Sequence, residues 1–330
     1  MERTCPFDAV LLISFGGPHG LADVRPFLQN VLRGRRVLAE RIEEVVHHYE
    51  LFGGVSPITD TTQRQAAGLH DRLQRSGHAL PVFVGMRNWH PLLADTLAEM
   101  SRQGIRRALG FIMAAHHSYS SCGQYRQNVT DARQKIVTRG LADVEISYVD
   151  SWYAHHGFIA ANARRVEAAL SELPTGLRPK ARLLFSAHSI PLSMASQCRY
   201  EEQLRASARL VAARVGRKDW AVVYQSRSGR PEDPWLEPDI CRYLREERGG
   251  GLSAVVISPI GFVADHIEVL YDLDREAAAC CKELGITMAR AGSAGDDPVF
   301  LDMMADIVRA ACERYRGGRA LPIVAAATFS

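Results

Sequence analysis

Residues 185–192, FSAHSIPL, set an imidazole at the end of an apolar run. Residues 181–185 read as a buried strand, Ser186, Ala187, His188 and Ser189 follow, and Pro191 closes the segment. A histidine there can take a proton near neutral pH or ligate a metal. A satisfied structural histidine would read the same way. A second segment, residues 258–277, SPIGFVADHIEVLYDLDREA, runs from another buried strand through Pro259 and Gly261 into a helix expected to begin near Asp265, a favoured N-cap type. Glu268, Asp272 and Glu276 then recur every four residues, which keeps them on one helical face with a drift of about 40° per step. Repeated like charge at that spacing weakens an isolated helix by about 0.2–0.5 kcal/mol per pair. A solvated acidic stripe accounts for the pattern too. Glu268, however, lies close to the helix start, where a carboxylate faces a cleft between loops. His188 and Glu268 from two strand ends could meet there as an N/O pair for a divalent metal or as a pair of proton acceptors.

Short apolar runs alternate with longer amphipathic ones along the chain. Strands are expected at residues 9–15, 82–85, 108–114, 145–149, 181–185, 221–225 and 254–258, and more weakly at 287–289. Helical stretches include residues 24–32, 61–73, 91–100, 160–170, 203–215 and 266–284. Strand followed by helix, repeated, means α/β architecture with parallel sheets covered on both faces. Residues 8–18, DAVLLISFGGP, and 180–191, KARLLFSAHSIP, resemble each other, and their separation points to two similarly built halves. Ligands of open α/β sheets sit beyond the carboxyl ends of the strands, where both segments carry their polar residues.

The 330 residues fit two domains better than one. With 47% hydrophobic and 23% charged residues the composition is that of a chain that folds throughout. A net charge of +3 gives no case for a nucleic-acid partner. No apolar run approaches the roughly 20 residues that span a bilayer, and the N-terminal apolar run reads as a first strand, not a signal peptide. A cytoplasmic protein without a transmembrane segment is therefore expected. Seven cysteines without C-x-x-C spacing read as reduced thiols.

Three further stretches carry polar or aromatic groups. Residues 224–240, YQSRSGRPEDPWLEPDI, hold Trp235 between prolines, where it reads as a loop anchor. Residues 48–58, HYELFGGVSPI, place Gly53, Gly54 and Ser56 before a helix start at Ser56 or Thr59, a possible anion cradle. The basic run RGRR, Arg33 to Arg36, reads as a solvated loop. Neither phosphate-loop nor dinucleotide fingerprint occurs, so a nucleotide cofactor is unsupported.

In chain order the strings SFGGP, FGGVSPI, GMRNWHP, SSCGQY, FSAHSIP, YQSRSG…DPWLEPD and PIGFVADHIEVLYDLDRE resemble those of the ferrochelatases, over residues 8 to about 280. The likeness is nearest to actinobacterial-type coproporphyrin III ferrochelatases. It implies two Rossmann-like, doubly wound parallel-sheet domains with an inter-domain cleft. These would be residues 1–150, with a C-terminal helix of about 305–330 packing back on them, and residues 151–304, carrying the metal-site His and Glu.

The implied activity is insertion of Fe²⁺ into coproporphyrin III to give coproheme in haem biosynthesis, with a coproheme decarboxylase downstream. Protoporphyrin IX as substrate and a non-catalytic porphyrin or haem carrier are the alternatives. By resemblance His188 and Glu268 are the metal-site and catalytic pair, Asp272 and Glu276 an acidic relay, and Ser56 and Tyr125 porphyrin contacts. Arg33 and Arg35 could supply further donors for propionates. Phe15, Trp235 and Phe262 could form walls that favour a bent macrocycle over the planar product. No cofactor is required, Fe²⁺ being substrate. Phe15 stands where another branch of the family carries a metal-coordinating tyrosine. Cys122 matches one cysteine of a [2Fe–2S] cluster found in relatives, but no cysteine follows Cys312 and four thiolates are needed, so no cluster is expected.

Overall fold

Eight apolar runs become eight strands: β1 (Ala9–Ser14), β2 (Val82–Met86), β3 (Arg107–Ile112), β4 (Glu145–Tyr148), β5 (Arg182–His188), β6 (Trp220–Gln225), β7 (Ala254–Ser258) and β8 (Thr287–Arg290). All six residues of β1 and all five of β7 are buried. Such strands read as continuous hydrophobic runs because helices cover both faces of a parallel sheet. The strands were located in a computed structural model that describes residues 5–34, 37–228 and 232–316. They form two all-parallel four-stranded sheets, ordered β2-β1-β3-β4 and β6-β5-β7-β8. The second order repeats the first, so the two similar segments, around β1 and β5, occupy equivalent places.

The helices are α1 (Leu21–Val31), α2 (Ala39–Glu50), α3 (Ile58–Arg75), α4 (Leu93–Arg102), α5 (Gln124–Thr138), α6 (His156–Glu172), α7 (Leu192–Ala195), α8 (Tyr200–Arg214), α9 (Ile240–Arg248), α10 (Ile267–Tyr271), α11 (Ala278–Leu284) and α12 (Pro298–Arg316). Helix α12 starts before the expected residue 305 and packs on both α6 and α3; residues 317–330 lie outside the described residues. At Gly157 of α6 a Cβ would meet the Met303 Cβ of α12 at 2.6 Å, so glycine permits this close crossing. Helix α3 begins at Ile58, not at Ser56 or Thr59, with Pro57 in the cap position. Thr59 instead turns its hydroxyl on the β1 loop, accepting from the Gly17 amide at 3.1 Å.

One apolar core joins the halves. Phe111 of β3, Trp152, Phe158 of α6 and Phe300 of α12 pack ring on ring, with Trp152 at 5.7 Å from Phe111, 5.2 Å from Phe158 and 5.8 Å from Phe300. Phe185 and Val256 of the second sheet belong to the same cluster. Each fully buried ring contributes on the order of 2–3 kcal/mol, which holds the two sheets in a fixed relation.

One expectation fails here. The cysteines are not all reduced thiols: Cys5 and Cys312 form a disulfide across a sequence separation of 307. Spacing along the chain cannot reveal it, because only the return of α12 past the segment before β1 brings the two sulfurs together. No helix among the described residues is long and apolar enough to cross a membrane.

Candidate active site

His188 is the last residue of β5, three residues beyond the apolar run that announced the strand. Ser186, Ala187 and His188 stay in register with Val223, Tyr224 and Gln225 of β6, and that pairing carries the strand onward. Its Nδ1 lies 2.5 Å from the carbonyl oxygen of Ser189, so Nδ1 carries the proton and donates it. The lone pair of Nε2 then points outward, and 3.5 Å away stands Oε2 of Glu268. The side chains are 35% and 47% exposed, open to a solute yet held by the fold.

Glu268 arrives by way of β7. Past Ser258 the chain turns through Pro259 and Gly261, whose added Cβ would meet the Ala187 Cβ at 2.6 Å; glycine alone lets this loop cross β5 one residue before His188. The helix cap differs from the sequence expectation. Asp265 is drawn to Arg290 at 2.9 Å and to the Ser293 amide at 3.3 Å. His266 caps α10 in its place, its Nδ1 accepting from the Val269 amide at 3.4 Å. The Phe262 ring stands edge-on to His266 at 5.0 Å. Burial holds the His266 imidazole below its usual pKa, with Glu268 opposing and His188 reinforcing the shift. Nothing in its spacing singled out His266; the signal was a histidine directly before an apolar-periodic helix.

The acidic residues do not climb one regular helix. After α10, residues Asp272–Ala277 form a π turn before α11 resumes, a widening often found at functional sites. Asp272 is not a solvated carboxylate. Its Oδ2 accepts from Ser226 Oγ and, at 3.1 Å, from Gln225 Nε2. Ser226 has φ of 59°, the one positive value outside glycine among the described residues, and so spends backbone strain on aiming its hydroxyl at Asp272. Burial pushes the Asp272 carboxyl up to about 7, Glu268 and Glu276 push the same way, and the two donors resist. Glu276, more exposed, is also raised, chiefly by burial. Asp272 and Glu276 line a cavity of about 360 Å³ with Gln225, Ser226, Asp239 and Cys241.

A stability prediction follows from Asp272. Between its unfolded value of 3.8 and about 7, the folded chain holds a proton that the unfolded chain has lost, so stability falls as pH rises through that window and stays low above it. Asp272→Asn removes this loss and is expected to stabilise the protein at pH 8 by on the order of 2 kcal/mol, discounting for partial solvent access, with little effect near pH 4. Thermal melts of both proteins from pH 4 to 8 check it; a difference independent of pH would contradict it.

The first half supplies the facing wall. His48 of α2 stacks on Tyr271 with ring centroids 3.5 Å apart, and Tyr49, buried, feels the charge of Glu268, which with burial raises its pKa. Phe15 packs into the cluster that contains Ile267 of α10 and meets Phe27 edge-on at 6.2 Å. The Arg87 guanidinium lies 5.8 Å from the Phe15 ring and 5.7 Å from that of Tyr125; it stands in the string GMRNWHP and was not singled out. Tyr125 is 7% exposed, and burial raises its phenol to about 12. Ser56, 2% exposed, is wedged against Gly17. Arg33 is exposed and donates to Asn30 at 2.7 Å; Arg35 lies outside the described residues. Trp235 bridges to Pro191, three residues past His188, and anchors its loop there. The fold thus brings His188 and Glu268 within 3.5 Å of each other, sets Phe262 against the neighbouring His266 and Trp235 beside Pro191, and holds Arg87 near both Phe15 and Tyr125 in the first half.

Two acceptors 3.5 Å apart repel unless a cation lies between them. A proton suffices, and a divalent metal about 2.1 Å from each atom would see them at an angle of about 110°, compatible with the coordination such ions adopt.

A ferrochelatase family model matches residues 7–312. A protein of Rhodopirellula baltica named ferrochelatase is 48% identical over 311 residues, covering 94% of this chain and 87% of the relative. Coproporphyrin III ferrochelatases of Streptomyces coelicolor and Mycobacteroides abscessus are 44% and 45% identical, covering 96% and 92% of this chain and 88% of each relative. Among solved structures, SirB from Bacillus subtilis with Fe³⁺ superposes with a TM-score of 0.57 at 11% identity, over 94% of this chain and 97% of that one, which speaks for the fold.

Proposed function

Because this chain belongs to the ferrochelatase family, we propose that it inserts Fe²⁺ into coproporphyrin III with His188 and Glu268 as the working pair. The free-base macrocycle carries two pyrrole N–H protons, and both must leave as the dication enters. His188 Nε2 is the first acceptor. Its lone pair is exposed because Nδ1 is committed to Ser189, and Glu268 receives the proton across 3.5 Å. Asp272, poised near 7, and the more exposed Glu276 pass it to solvent. One imidazole and one carboxylate also suit a ferrous ion on its way to four nitrogens. Phe15 offers no oxygen, so this chain supplies no axial ligand at that position; its ring, with Phe262 and Trp235, forms an apolar wall against which a bent macrocycle packs better than a flat one.

The single observation that carries this reading is the His188–Glu268 pair, two acceptors aligned on an open crevice. The substrate's four propionates call for donors, and Arg33, exposed, is the first candidate, whereas Ser56 and Tyr125 are buried and would have to be uncovered to take part. The product keeps those propionates, so a coproheme decarboxylase would act after it; the cytoplasm is the proposed compartment. Anaerobic kinetics with Fe²⁺ test the proposal. We expect kcat/KM for coproporphyrin III to exceed that for protoporphyrin IX by at least about tenfold, the scale of one unmatched charged contact. A preference for protoporphyrin IX would overturn the substrate, and binding of either porphyrin without metallation would overturn the enzyme in favour of a carrier.

A further inference from the structure

The direction of His188 depends on one peptide group, and that group has lost half of its sheet. The ladder between β5 and β7 ends at Phe185 paired with Ser258, while the ladder to β6 continues to His188 paired with Gln225. In the His188–Ser189 peptide the N–H turns towards β6 and donates to the Gln225 carbonyl at 2.8 Å. The His188 carbonyl must point the other way, towards a strand that has already stopped. A buried carbonyl without a donor costs about 1–3 kcal/mol. Tyr200, at the start of α8 and 6% exposed, fills the gap: its hydroxyl donates to that carbonyl at 3.0 Å. Ser189 is tied from a further side, its hydroxyl donating to the Leu236 carbonyl at 2.8 Å. The Ser189 carbonyl, so fixed, is the acceptor for His188 Nδ1.

We propose that Tyr200 and Ser189 are positioning residues for metallation. Neither touches the reacting atoms. Tyr200 replaces the missing strand, Ser189 presents the carbonyl that selects the Nδ1–H tautomer, and together they hold Nε2 beside Glu268 with its lone pair available to take a proton. The inference deepens the role given to His188 above and rests on it.

The test uses the whole protein in its wild-type, Tyr200→Phe, Ser189→Ala and His188→Ala forms. Tyr200→Phe deletes one oxygen and keeps the ring. It is expected to lower kcat for Fe²⁺ insertion about tenfold, the lower end for groups that orient a ligating histidine, with KM for coproporphyrin III unchanged. Nitrogen-15 NMR of ring-labelled protein, the His188 signals identified by their loss in His188→Ala, should show one tautomer in wild type and a mixture in Tyr200→Phe. Ser189→Ala should do the same, which guards against a folding defect particular to Tyr200. A single unchanged tautomer with wild-type kcat in both variants overturns the inference. If His188→Ala were fully active, the reading of His188 would fall, and the nitrogen shifts would still decide whether Tyr200 and Ser189 orient the ring.

Discussion

His188→Ala is expected to lower kcat for Fe²⁺ insertion by about 10²–10⁴-fold, the range for loss of a positioned proton acceptor, while the affinity for coproporphyrin III stays as it was. One nitrogen of this imidazole is committed as a donor to the Ser189 carbonyl, and the other faces Glu268. Alanine removes the group proposed to take the first pyrrole proton and leaves Glu268 without its partner. On the proposed reading porphyrin binding rests on side chains other than His188, so it should survive. The side chain is 35% exposed, and its loss opens no sealed cavity, so the variant should fold. Stopped-flow metallation under anaerobic conditions, with porphyrin binding followed by fluorescence quenching, separates the two effects. A rate close to wild type would remove His188 from the chemistry.

Glu268→Gln should cost on the order of 10²-fold in kcat, and its larger lesson lies in the double variant. The amide keeps the size and one acceptor oxygen of the carboxylate but neither holds a negative charge nor accepts a proton. If the pair works as one unit, His188→Ala/Glu268→Gln will be hardly slower than the worse of the single variants, because removing either member already breaks the transfer across 3.5 Å. Independent action would instead multiply the two losses. Glu268→Gln should also raise KM for Fe²⁺ and not that for the porphyrin, since the lost charge attracts the dication.

Much of this site could be read from the chain alone. The fully buried strands, such as β1 and β7, stood out because a strand covered on both faces is apolar throughout; the half-exposed β4 and β8 gave weaker patterns, and His188 and Glu268 drew notice because they lie at and just beyond the ends of β5 and β7. What escaped was whatever a neighbour from elsewhere in the fold decided. Asp265 has the preferred type for a helix cap, yet Arg290 and the Ser293 amide claim its carboxylate and leave the cap to His266. The four-residue spacing of the acidic residues is that of an α-helix, yet the chain widens into a π turn at Asp272, where Gln225 and Ser226 take hold of the side chain. Arg87 lies in a loop whose local pattern says nothing of the rings of Phe15 and Tyr125 on either side.

The order of residue types along the chain determined the α/β class, the doubled arrangement of its halves and the ends at which chemistry would gather, because these follow from short-range periodicity and from chain direction. Only the tertiary structure decided that Nε2 and Oε2 stand 3.5 Å apart, that Asp272 is shielded enough to keep a proton near neutrality, and that Cys5 meets Cys312. Distance, desolvation and disulfide partner belong to pairs of residues from remote segments, and no local pattern carries them.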